Sequence, residues 1–125
     1  MAAVSYTNMG RYDIMDISTE RLSLKDCPVA VSKYVINNDR LGDRLFLQLC
    51  FQNIGEKVIA SVQVELSCGT EYSYSNLSAQ PGASFGLDDM LPLPSREYKE
   101  IKVLCSKIVF DDSSVWDNLD RLYFE

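Results

Sequence analysis

Residues 43–55 read DRLFLQLCFQNIG. Leu45, Leu47, Leu49 and Phe51 fall on every second position, with Gln48, Cys50 and Gln52 between them. That is the rhythm of a strand with one buried face, broken here only by Phe46. The row is expected to wall a core, not a catalytic site. A second run follows, Val58, Ala60, Val62, Val64 and Leu66, interleaved with Ser61, Gln63, Glu65 and Ser67. The intervening QNIGEK, 52–57, holds Asn53 and Gly55, which tolerate the left-handed backbone of a tight reversal. The two runs are therefore expected to form an antiparallel hairpin with both apolar rows on one face.

Working outward, VAVSKYVI (29–36) is rich in β-branched residues and lies between Pro28 and the turn-forming NNDRLGD. TEYSYSNL (70–77) alternates Tyr72 and Tyr74 with serines. YKEIKVLCSKIVF (98–110) sets Ile101, Val103 and Cys105 on one side and then changes phase to reach Ile108 and Phe110, which predicts a bulge near Ser106. YDIMDI (12–17) adds an opening strand. Residues 79–94 contain three of the four prolines and two of the six glycines and are expected to be a long irregular connection. In SSVWDNLDRLYFE, Ser113 or Ser114 is placed to cap one or two helical turns with Trp116, Leu119 and Leu122 or Tyr123 on one face.

Five to seven short strands without a convincing amphipathic helix predict an all-β chain, a two-sheet antiparallel β-sandwich of immunoglobulin-like type, with a closed barrel as the rival. The 125 residues suit one domain, 1–125, with residues 1–11 flexible and 117–125 as a tail.

A hydrophobic content of 46% and a charged content of 24% are those of an ordinary globular protein. The net charge of -6, from 18 acidic and 12 basic residues, disfavours a sequence-independent grip on nucleic acid, which needs clustered Lys and Arg to displace counterions. Anionic membrane surfaces are disfavoured for the same reason. No apolar run approaches the ~18–20 residues of a spanning helix, so no membrane insertion is expected. The first residues lack a cationic start followed by an apolar block, and a cytoplasmic location is expected.

Cys27, Cys50, Cys68 and Cys105 are dispersed and contain no C-x-x-C pair, so reduced and mostly buried thiols are expected, ahead of one disulfide or a zinc site. The chain has no histidine, which removes the usual general base near neutral pH and the usual Ser-His-Asp and Cys-His arrangements. An enzyme is accordingly not expected, nor is a cofactor.

Three segments carry a resemblance: CPVAVSKYVINNDRLGDRLFLQLCFQNIGEKVIASVQVEL, then YSYSNLSAQPGASFG, then LPLPSREYKEIKVLCSKIVFDDSSVW. In this order, across residues 27–116, the chain resembles an uncharacterised, immunoglobulin-like β-sandwich module of Firmicute bacteria. The family is often found next to zinc-ribbon or membrane segments, and neither occurs in this sequence. The resemblance implies the sandwich and attaches no activity to it. Ser113 stands where the family pattern has glycine.

Among candidate binding residues, Tyr72, Tyr74 and Trp116 have rings with polar tips that favour interfaces, although core or rim positions suit them equally. Tyr34 and Tyr98 belong to the same set. Asp111 and Asp112, with Asp88, Asp89, Asp117 and Asp120, bear loop carboxylates of the kind that hold Ca²⁺, but their spacing does not fit a calcium loop, and no metal is expected. PGASFG (81–86) lacks the helix start or lysine of a phosphate cradle, and its Phe85 is expected to anchor the loop in the core. The expected function is a non-catalytic interaction or structural module, contacting a protein partner or a second copy through a strand edge. The alternative is a carbohydrate- or peptide-binding domain, with or without Ca²⁺.

Overall fold

The computed structural model describes residues 11–94 and 97–125. Apart from Arg11, the amino-terminal stretch expected to be flexible lies outside the described residues. Nine strands follow in chain order: β1 (Tyr12–Ser18), β2 (Val29–Asp39), β3 (Arg44–Asn53), β4 (Ile59–Leu66), β5 (Glu71–Tyr74), β6 (Ser84–Phe85), β7 (Leu91–Leu93), β8 (Val103–Phe110) and β9 (Val115–Asp117). All pair antiparallel, in two sheets. Sheet A has the order β1-β2-β3-β6, with β7 also on β3; sheet B has the order β5-β4-β8-β9. The molecule is an all-β two-sheet sandwich.

The expected hairpin between β3 and β4 does not form. β3 pairs with β2, β6 and β7, whereas β4 pairs with β5 and β8. The chain crosses from one sheet to the other at Asn53, which is 1% exposed and saturated with hydrogen bonds. Its side-chain amide donates to the carbonyls of Lys57 (2.8 Å) and Ala79 (2.9 Å), and its Oδ1 accepts from the Gly55 amide at 3.0 Å. Its backbone bonds to Ala83 and Gly82 at 2.9 and 2.8 Å. These bonds tie the crossover to the 79–83 loop, and the two apolar rows face each other across the sandwich instead of sharing a face. The true hairpin is β2–β3, closed by the turn at 40–43 with Asp43 at φ 46.

Four of the five long strands, all but β3, carry one extra residue. The register skips Met15 in β1, Ser32 in β2, Ala60 in β4 and Ser106 in β8. The bulge expected near Ser106 is therefore present, and Ser106 Oγ donates to the Gln63 carbonyl at 3.2 Å. The bulge at Ala60 corrects the second apolar row: Ile59 is fully buried, Val58 and Ala60 are only half-buried, and Val62, Val64 and Leu66 keep the inward phase.

The core is centred on Phe51, which stacks on Phe85 (5.5 Å, 25°) and meets Tyr74 edge-on (5.2 Å, 74°). Phe85 thus anchors its loop as expected, and the segment 79–94 is more ordered than expected because β6 and β7 both add to β3. Gly86 lets that loop lie close: at φ +106, a Cβ there would stand 2.6 Å from the Leu49 carbonyl oxygen. The four cysteines are free; Cys27 and Cys105 touch within the core, and that contact together with burial holds the Cys105 thiol protonated.

The tail forms no helix. Val115 and Trp116 continue as β9, with Trp116 opposite Ile108, because a β-branched and aromatic pair beside an unpaired edge of β8 gains a ladder there. Beyond it, Asn118 donates to the carbonyls of Cys105 (3.0 Å) and Leu122 (2.8 Å). Phe124 then enters the core with its amide on the Val103 carbonyl at 2.9 Å. A short 3₁₀ turn, Tyr98–Glu100, precedes β8 instead.

Candidate functional site

Tyr74, Val62, Ile108 and Trp116 form one cross-strand row of sheet B, and that row faces the core. Tyr74 is buried, its hydroxyl has no hydrogen-bond partner among the described residues, and burial pushes its phenol well above the ordinary range. Tyr72 lies at the rim of the same face, its ring 4.9 Å from Tyr74 at 74°. Partial burial, aided by donation of its hydroxyl to the Asp89 carboxylate, raises its pKa. Trp116 is half-buried on the opposite edge strand, three strand spacings or roughly 14 Å from β5. The structure brings Tyr72 and Tyr74 together and keeps Trp116 apart from them.

Asp111 and Asp112 sit in the exposed β8–β9 turn. Asp112 accepts from the Ser114 amide at 2.9 Å and from the Ser114 hydroxyl, and pairs with Lys57 at 3.3 Å. These bonds, the Ser114 hydroxyl first, hold its pKa down at about 2. Lys57 also lies over the Phe110 ring at 5.3 Å. The carboxylate of Asp112 therefore shapes a turn. Ser113, at φ 71, occupies a left-handed position that favours glycine. Among the described residues no three acidic or cysteine side chains gather as a metal-binding group.

Two other features of the surface stand out. Strand β1 forms one edge of sheet A and exposes Ile14 (66%), Met15 (47%) and Ile17 (50%). By register, the rows Tyr12–Asp39–Arg44, Ile14–Asn37–Phe46 and Ile17–Val35–Gln48 share the outer face. Tyr12 meets Phe46 edge-on (6.3 Å, 86°), and Arg11 and Arg44 lie over these rings at 5.4 and 5.7 Å. Arg11 also grips Asp39 with two bonds of 3.1 and 3.0 Å, which lowers the Asp39 pKa, and Arg40 pairs with Asp13 likewise. Arg11 and Arg40 thus border an apolar patch with their charges already compensated.

The second feature is a half-enclosed apolar cleft of about 270 Å³ between the sheets, floored by Leu47 and Leu49. Of the residues singled out by aromatic or acidic composition, Tyr34 and Tyr98 line the cleft and none forms the β1 patch. YDIMDI signals a strand, but its edge position follows from long-range pairing, and the cleft arises from the fit of two sheets.

No helix among the described residues is long and apolar enough to cross a membrane. Comparison with known proteins finds no matching family model, no matching curated protein and no matching solved structure.

Proposed function

We propose that this chain is a non-catalytic interaction module that meets a protein partner, a second copy of itself included, through strand β1. The observation that carries this reading is the run of three exposed apolar side chains, Ile14, Met15 and Ile17, on a seven-residue edge strand. Contiguous exposed apolar surface on a sheet edge is a habitual docking element. The other edges are shorter: β5 and β9 have four and three residues, and β6 and β7, at the far edge of sheet A, have two and three. The bulge at Met15 and the Asp16 Oδ1, which takes the Ile17 amide at 2.9 Å, interrupt the outward backbone ladder. Side chains of the outer face, more than backbone pairing, accordingly carry the contact.

The same proposal places the chain in a reducing compartment, the cytoplasm, which suits the unbridged Cys27 and Cys105 in contact. It also carries the immunoglobulin-like kinship with the Firmicute module. The test is sedimentation equilibrium with amide exchange. The expected result is a mass that rises with concentration above the 14.1 kDa of one chain, slowed exchange in β1, and return to one chain in the Ile14→Asp, Ile17→Asp variant. A strictly monomeric mass, with β1 amides already protected in the isolated chain, contradicts the reading.

A further inference from the structure

We infer that the cleft between the sheets is a binding site for a small free carboxylic acid with an apolar body. This inference does not depend on β1 as a docking strand. Leu47, Leu49, Ile36 and Leu93 on the inner face of sheet A are only 1–5% exposed and form the base of the cleft. A space of about 270 Å³ opens above them, beside the half-buried Leu22, Tyr34, Tyr98 and Ile101. Beside Val103 of sheet B, the wall is completed by the 3₁₀ turn and residues 101–102, which hang from Ser67 by Lys102 N to Ser67 Oγ (2.8 Å) and Ser67 N to the Lys102 carbonyl (2.9 Å).

The base of this space is apolar and its mouth polar, a shape that suits a hydrocarbon body with a polar head: a cavity of about 150 Å³ takes benzene, so this one has room for roughly eight to eleven carbon-sized atoms. Binding sites for small molecules are built in the same way, with apolar walls and a few polar groups at chosen points. At the mouth stand Lys99 and Lys102, both exposed, neither in an ion pair among the described residues, opposed by the single carboxylate of Glu20. Arg11, Arg40, Lys57 and Arg121 are by contrast each matched with an acid. In a chain of net charge -6, two ammonium groups against the one carboxylate of the lining leave the mouth positive, which favours an anionic head. The half-buried Tyr34 and Tyr98 add ring edges and hydroxyls beside it.

The experiment titrates the full chain with octanoate and with neutral 1-octanol below their aggregation limits, followed by methyl NMR and thermal melting. Octanoate is expected to saturate one site, to shift the methyl signals of Ile36, Leu47, Leu49 and Leu93, and to raise the melting temperature. Lys99→Gln with Lys102→Gln is expected to weaken octanoate about tenfold or more while leaving 1-octanol unchanged, because only the charge-assisted contacts are lost. Ile101→Trp, a change on the half-buried wall of the cleft, is expected to block both ligands. No saturation by octanoate at millimolar concentration overturns the inference. So does undiminished octanoate binding in the double-lysine variant, or shifts confined to the outer faces.

Discussion

Asn53 does more for this fold than any apolar residue of its size. Its side chain holds two carbonyls, of Lys57 and Ala79, and one amide, of Gly55, in a site closed to water. Asn53→Ala strands those carbonyls without donors and is expected to cost about 2–4 kcal/mol, seen as a fall in the urea midpoint at constant slope. Ser113 works in the other direction. At φ 71 an L-residue is strained, so Ser113→Gly is expected to raise stability by about 0.5–1 kcal/mol in the same assay. Beside it, Asp112 titrates at about 2, below the ordinary 3.8. A depressed carboxyl contributes stability that is complete above its unfolded pKa and disappears as pH falls through the folded one. Asp112→Asn is therefore expected to flatten the acid limb of the stability curve between about pH 4 and 2 and to leave its shape above pH 5 unchanged. In the sequence Asn53 is legible only as a turn former, because nothing local reveals which distant carbonyls will need its amide. Nothing local in the sequence marks Ser113 as a left-handed position.

At the scale of elements, alternation identified β3 and the inward half of β4, and a phase change located the bulge at Ser106. It failed at the connection, since residues 52–57 are long enough either to reverse within a sheet or to cross the roughly 10 Å between sheets. Hydrogen bonds to the 79–83 loop, far along the chain, decide for crossing. The bulge at Ala60 hid Ile59 for a similar reason: Ile59 is out of phase with the row it joins. The carboxy-terminal segment is the sharpest case. Helical spacing selects Leu119 and Leu122, yet these are 87% and 51% exposed, and the buried residue is Phe124. Phe124→Ala is expected to cost about 3 kcal/mol, whereas Leu119→Ala and Leu122→Ala each stay within about 0.5 kcal/mol in urea unfolding. The reverse ranking restores the helix.

For the molecule as a whole, fold class was legible because burial leaves a two-residue period wherever one face of a strand is covered. Strand order was not, and the candidate sites depend on strand order. Tyr72, Tyr74 and Trp116 have the chemistry of a recognition surface, but Tyr74 and Trp116 lie on a core-facing row at opposite edges of sheet B. The apolar patch on β1 and the cleft under Lys99 and Lys102 instead follow from which strand is left at the edge and from where the 3₁₀ turn enters β8. Both depend on β3 and β4 lying in opposite sheets, and interstrand backbone NOEs test that most directly. The expected contacts join Ile36 to Leu47 and Tyr34 to Leu49 within one sheet, and Val62 to Ile108 within the other, with none between the backbones of β3 and β4. A continuous ladder of NOEs running back from Gln52 and Phe51 into Val58 and Ile59 contradicts the account.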